Sequence, residues 1–429
     1  MKQPRSGNHP IHQSSGFVLV ITLWVVIVLS TVALAYIRHV TLEMNMVAFQ
    51  RDVAIVDSLA KTGLQQAFIL LREDLIKDMG ENFTERNLNF LEEDTFRYDA
   101  GSEAWADNPE LYIDVPFYER NEQYGYYYVD VRDESAKLPI NSSQVTLEMI
   151  AKLLELTGVE EDRALNLAAA IQDFRDADLV PTSTGDTRFG RDGGDETSFY
   201  NERRRSRSNE IPPFPMKNGT FSSIDELLLV PGMTPAIVFG TVEPEESTRG
   251  GRFSGRRLRQ GEYLGLKNYV TVYGGRTNIN TVKREVLEAI LFAYVGDEAE
   301  RMASDWVDYR NGRDRIPYTE DDRAIKTPDN SDLDDVHYTE VNGFTEQLMA
   351  QMANLVVNYS SYFEVACLAE YKGIQKGYTA LVYRNWIPWT DLPQFGWDTN
   401  NPEDLEQVVL QVKQFEPLFN AKDQINKML

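Results

Sequence analysis

The sequence has one cysteine, Cys367, and four histidines. A lone cysteine excludes an intramolecular disulfide, so the fold does not depend on oxidation. His9 and His12 precede an apolar segment and His39 follows it, which leaves His337 alone in the body of the chain. A Ser-His-Asp triad, a Cys-His dyad or a His-rich zinc site has too few members to assemble. Positive charge is also short. The 43 Lys and Arg against 67 Asp and Glu give a formal net charge of −24, a field that repels nucleic acid and anionic lipid at long range. Nothing in this inventory points to catalysis, and the expectation is a protein that is not an enzyme.

What is present is an ordinary folded composition, 42% hydrophobic and 26% charged over 429 residues. That is enough to bury a sizeable core and to hold more than one domain. The long apolar run lies at the N-terminus, in "SSGFVLVITLWVVIVLS". From Phe17 to Ile37 there are 21 residues without a charge, and at about 1.5 Å per residue a helix of that length crosses a hydrocarbon core of about 30 Å. Lys2 and Arg5 precede it, which keeps the N-terminus cytoplasmic and the body after Arg38 outside.

A cleavable secretory signal is the rival reading, with Ala33-Leu34-Ala35 as its small-x-small site. The continuation argues against it. From Arg38 to Leu71 there is no proline and only Gly63. Val47, Val53, Val56, Leu59, Leu64 and Leu71 form a rough helical stripe. A discarded signal has no reason to run into an amphipathic helix, whereas a subunit whose anchor and body share one helix does.

The body contains an internal repeat. One copy reads "PINSSQVTLEMIAKLLELTGVEEDRALNLAAAIQDFRDADLVP" and the other "NINTVKREVLEAILFAYVGDEAERMASDWVDYRNGRDRIP". Each sets an Ile-Asn before a helix, a glycine (Gly158 or Gly296) after it, and a second helix closing on Asp-aromatic-Arg before a proline. Strand signals are separate: "YGYYYVDVRDES", "YVTVYGG" and "YFEVACLAEYKGIQKGYTALVYRN", the last a hairpin around Lys372-Gly373 and Lys376-Gly377. The economical reading is one antiparallel sheet interrupted by helical insertions and packed on the first helix.

Several motifs carry chemistry. "LLLVPGMTPAIV" resembles a helix-hairpin-helix, with Ser223 and Glu226 as a capping box at its start. Thr234-Pro235 in place of a basic turn favours a packing role over DNA contact. The basic clusters at 202–208 and 249–261 read as flexible Arg-, Gly- and Ser-rich loops. "WIPWTDLPQFGW" either docks on a partner or covers an edge of its own sheet. Asp173, Asp176 and Asp178 lie where a helix ends, and Asp192, Asp195 and Glu196 follow in a Gly-rich loop. Hard oxygen donors of this kind suit calcium, although no EF-hand pattern is present.

A glycine, an aromatic and an uninterrupted apolar helix running into an amphipathic one resemble the N-terminus of type IV pilins. The resemblance implies cleavage by prepilin peptidase between Gly16 and Phe17, with methylation of the new N-terminus at Phe17. Most such subunits carry glutamate at the fifth mature position, which here is Ile21. An intramembrane carboxylate needs a partner, and in an assembling filament that partner is the terminal amine of the subunit above. A subunit with nothing above it loses nothing with Ile21. This resembles the minor pseudopilin K family of type II secretion systems. "DVRDESAKLPIN", "DFRDAD", "IDELLLVPGMT" and "YVTVYGGRTNINTVKREVLEAI" are similar to stretches of that family, in order, over nearly the whole chain. The Arg-rich linker 244–260, the long tail from Trp386 and Ser14-Ser15 before Gly16 depart from its pattern.

The fold class this implies is α+β and type IV pilin-like, a long N-terminal helix on an antiparallel sheet with large helical insertions. The expected plan is a leader over 1–16, the membrane part of the helix over 17–37 and its continuation over 38–75. The sheet then begins over 76–140, followed by a first helical unit over 141–240 and a linker over 241–268. A sheet strand over 269–280, a second unit over 281–358, a hairpin over 359–385 and a tail over 386–429 complete it. The implied role is that of a minor pseudopilin at the pseudopilus tip, anchored in the inner membrane with a periplasmic body. Pseudopilins of types I and J, the major pseudopilin and prepilin peptidase are its implied partners, and no nucleic acid is expected. The family's calcium-binding helical domain adds weight to a calcium site drawn from Asp173, Asp176, Asp178, Asp195 and Glu196. A type IV minor pilin, a secreted helix-hairpin-helix protein and a bitopic protein such as an adhesin remain the alternatives.

Overall fold

In the computed structural model, the described residues are 15–83, 98–103, 105–106, 115–119, 121–182, 196, 216–242, 258–259, 261–317, 319, 321–325, 338–384 and 410–417. Helix α1 runs unbroken over Ser15–Phe83. Its apolar side chains from Phe17 to Phe49 are exposed, save the half-buried Val40. Val56, Leu59, Ala60, Leu64, Ala67 and Leu71 are buried against the sheet. Their spacing of mostly three and four keeps them on one face. Val47 is exposed, so the packed stripe begins at Val56, about two and a half turns later than the sequence pattern places it. Gly63 sits in the middle of this contact. A Cβ there would lie 2.4 Å from Cys367 Sγ and 2.8 Å from the Tyr127 ring, so glycine is what lets the helix approach.

Strands β1 (Val115–Glu119) and β2 (Glu122–Asp133) follow. Alternation on β2 points Tyr127, Val129 and Val131 at α1. The first helical unit then opens with β3 (Leu138–Pro139), α2 (Leu147–Leu156) and α3 (Glu161–Arg175). Thr146 caps α2 by accepting from Met149 N–H, and Gly158 ends it at φ +107°. A 3-10 turn over Ile224–Leu229, α4 (Pro235–Phe239) and β4 (Val270–Thr271) close the unit. The capping box expected there is not formed. Ser223 makes no side-chain cap, and Glu226 instead accepts from Ser222 N–H and Lys217. A 3-10 turn is too short to present the usual box geometry.

The second unit repeats the design with β5 (Thr277–Asn278), α5 (Arg284–Val295), α6 (Ala299–Arg310), α7 (Glu346–Met352) and β6 (Val356–Val357). In each unit the entering and leaving strands pair in parallel, β3 with β4 and β5 with β6. The "YVTVYGG" strand therefore lies outside the main sheet, as a clasp on the first unit. The Ile-Asn of each copy explains why. Asn141 donates to Phe221 O and Val272 O and accepts from Phe221 N–H. Asn280 does the same with Ile325 and Asn358. Arg175 reaches back to the carbonyls of Ile140, Ser142 and Val145, and Arg310 to that of Val282. The two units share one apolar core.

The chain returns through β7 (Tyr362–Tyr371), β8 (Ile374–Arg384) and β9 (Leu410–Pro417). The five-stranded antiparallel sheet has the order β1-β2-β7-β8-β9. β7 and β8 are joined by Lys372-Gly373, both at positive φ, the two-residue hairpin that matches strand twist. Lys376 and Gly377 lie within β8.

Candidate processing site and metal centre

Gly16 and Phe17 lie in the first turn of α1, with Phe17 71% and Ile21 46% exposed. Polar atoms inside the apolar stretch are satisfied within the helix. Thr22 Oγ1 donates to Leu19 O at 2.9 Å and Thr31 Oγ1 to Val28 O at 2.8 Å. This is what a hydrocarbon environment demands. The helix is long and apolar enough to cross a membrane.

At the far end of the first helical unit, three acidic residues converge. Asp173 lies in the last turn of α3, Asp176 caps it, and Glu196 comes from twenty positions further along the chain. One carboxylate oxygen from each lies within 4.8 Å of the other two. Asp173 and Glu196 are fully buried. Asp173 Oδ1 accepts from Thr182 N–H at 2.8 Å. Glu196 Oε2 accepts from Asn218 Nδ2 at 3.0 Å. Asp176 Oδ1 and Glu196 Oε1 are buried and accept no hydrogen bond.

Burial, and then the Asp173 and Asp176 charges, push the Glu196 carboxyl up to about 7. Burial, followed by Asp178 and Asp173, pushes Asp176 up to about 6. Two raised carboxyls with orphaned oxygens are what a site leaves when its counter-charge is a cation. The donors are all hard oxygens, which fits calcium and not the thiolate or imidazole preference of zinc. Three carboxylates fall short of six to eight ligands, so carbonyls and water would complete the shell.

The five sequence candidates divide accordingly. Asp173, Asp176 and Glu196 are brought together. Asp178 stays at the rim, its Oδ1 accepting from Val180 N–H, and acts on the cluster through its charge. Asp195 lies outside the described residues, as do Asp192, the cluster at 202–208, most of 249–261 and "WIPWTDLPQFGW". Asn218 was not anticipated. It holds Glu196 and Asp178 O together, and a lone asparagine in "KNGT" carries no sequence signal for that.

A second acidic group, Asp74, Asp99 and Glu103, is of another kind. The fully buried Arg384 guanidinium binds Asp74 Oδ2 at 2.7 Å and also Asp99 Oδ1. Their cation is therefore supplied by the chain itself.

An α+β fold in which a helix long and apolar enough to cross a membrane continues as the spine of the body is the class that this structure defines. Residues 131–240 match the family model of Type II secretion system (T2SS), protein K. That segment spans most of the first helical unit and contains the acidic cluster. No curated protein matches the chain. Among solved structures, the chain is similar to one from the GspK-GspI-GspJ complex of the enterotoxigenic Escherichia coli type 2 secretion system. The identity is 17%, over 84% of this chain and 100% of that one, with a TM-score of 0.42. At that level the likeness carries no contact or partner across.

Proposed function

We propose that this protein is a minor pseudopilin that starts or caps the type II secretion pseudopilus, acting by assembly and not by catalysis. The observation that carries the reading is the continuity of α1. One helix is exposed and free of charge from Phe17 to Ile37, then becomes a buried element of the body from Val56. An anchor built this way can leave the bilayer and pack against neighbouring helices without refolding. The family match over the first helical unit supports the type II secretion context over a type IV pilus.

In this reading prepilin peptidase cuts between Gly16 and Phe17, and Phe17 becomes the methylated first residue. The N-terminus faces the cytoplasm and the body lies in the periplasm. Ile21 lacks the carboxylate that would seek a terminal amine above it, which suits the first position in the filament. Pseudopilins of types I and J and the major pseudopilin are the partners proposed. Asp173, Asp176 and Glu196 are proposed to hold a calcium ion, which would neutralise the cluster and fix Glu196 to the end of α3. The N-terminal sequence and intact mass of membrane-extracted protein, with and without prepilin peptidase, test the reading. A peptidase-dependent start at methylated Phe17 is expected. A start at Tyr36, or an intact Met1 in both samples, would overturn it.

A further inference from the structure

The long second helices of the two units end on related residues, Asp173-Phe174-Arg175-Asp176 closing α3 and Asp308-Tyr309-Arg310-Asn311 closing α6. Asn311 therefore stands where the first unit has Asp176. A cavity of about 20 Å³ lies beside it, lined among others by Thr281, Arg310, Asn311, Asp322 and Arg323. Asn311 is 1% exposed, and its Oδ1 accepts no hydrogen bond. A buried acceptor of this kind is normally given a donor by protein or by ordered water.

The surroundings select that donor. Two guanidinium-bearing side chains, Arg310 and Arg323, line the space against the single carboxylate of Asp322. Arg310 is committed to Val282 O, and Arg323 lies over the Tyr309 ring at 4.4 Å. A divalent cation would meet net positive charge here, the reverse of the first unit. The volume exceeds the ~10–15 Å³ needed for one water.

We propose that this cavity holds one buried water, which donates to Asn311 Oδ1 and is the neutral counterpart of the cation in the first unit. The comparison with a cation rests on the calcium reading above; the water itself does not. Gly101 also lines the cavity, so the water joins the end of α6 to the segment that precedes the sheet. The duplicated design thus carries one metal-responsive joint and one that ignores metal.

Crystals of the detergent-solubilised full chain, soaked with manganese(II), test this directly. Expected is an ordered, non-anomalous peak at roughly 2.7–3.2 Å from Asn311 Oδ1, with the anomalous signal confined to the Asp173–Asp176–Glu196 cluster. An anomalous peak at Asn311, or a cavity without density, would overturn the proposal. No anomalous signal at the first cluster would remove the calcium reading and leave the water standing. As a second measurement, Asn311→Leu should lose the peak and melt at lower temperature, with its response to chelator unchanged. A peak that persists in that variant would also overturn the assignment.

Discussion

Removing calcium and varying pH together should expose the acidic cluster most clearly. Glu196 has its folded pKa raised from 4.5 to about 7, and Asp176 from 3.8 to about 6. Folding therefore takes up protons at these sites. In metal-free protein the stability they allow is fully present below about pH 4.5 and is lost as pH rises through 7. For Glu196 the loss is about 3 kcal/mol, at about 1.4 kcal/mol per unit. Asp176 is only half-buried, and solvent screening leaves it a smaller share. The proposed calcium ion would reverse this by binding only the folded, deprotonated cluster, and at a hundredfold its dissociation constant it would return about 2.7 kcal/mol. At roughly 2–4 °C per kcal/mol, EDTA should lower the melting temperature by about 5–10 °C at pH 7.5 and by far less at pH 5. Scanning fluorimetry of the full chain in detergent, with and without calcium, reads both numbers. Glu196→Gln should raise the metal-free melting temperature at pH 7.5 while shrinking the calcium shift. An EDTA effect of equal size at both pH values, or none at either, would refute the reasoning.

Three further outcomes follow from the packing. Gly63→Ala adds a methyl against Cys367 Sγ; overpacking of about 1–3 kcal/mol should outweigh the roughly 1 kcal/mol gained in helix propensity. Cys367→Ala in the same chain should recover part of that loss, and purely additive melting shifts in the double-mutant cycle would argue against the contact. Arg384→Met leaves Asp74 and Asp99 buried without their cation; a loss of about 3–5 kcal/mol is expected, read as a lower melting temperature, and a neutral result would contradict the burial. Lys376 and then Lys61 hold the Asp57 carboxyl well below its usual range, a stabilising term present above about pH 4 and lost on further acidification. Lys376→Met should therefore move the acid-unfolding midpoint to higher pH, as followed by circular dichroism.

Much of this architecture could be read from the chain because it is periodic. The 3.6-residue stripe of α1 and the alternation of Tyr127, Val129 and Val131 repeat one physical demand several times, so single exceptions such as Val47 do not hide it. The repeated Ile-Asn was visible as well, although its purpose was not. Asn141 and Asn280 act by tying together segments distant in sequence, and no local pattern encodes that. The clasps β3–β4 and β5–β6 are two residues a side, too short for any periodicity. The Asp99–Arg384 contact spans 285 positions and shows no sequence signature. The acidic site was half legible. Its donor types and the helix end could be named, but which carboxylates converge depends on tertiary contacts such as Asn218 with Glu196.

The sheet register places Asp133, the last residue of β2, directly opposite Phe363 near the start of β7. Everything between them, both helical units included, leaves and re-enters the sheet at neighbouring points. Topologically the whole lobe is one very long hairpin connection. Its size does not change the order, register or tilt of the strands that carry it, nor the path of α1 beneath them. Two or three turn residues could bridge β2 to β7 and leave an intact small sheet on its helix. The helix-and-sheet frame and the lobe can thus vary in size independently of one another.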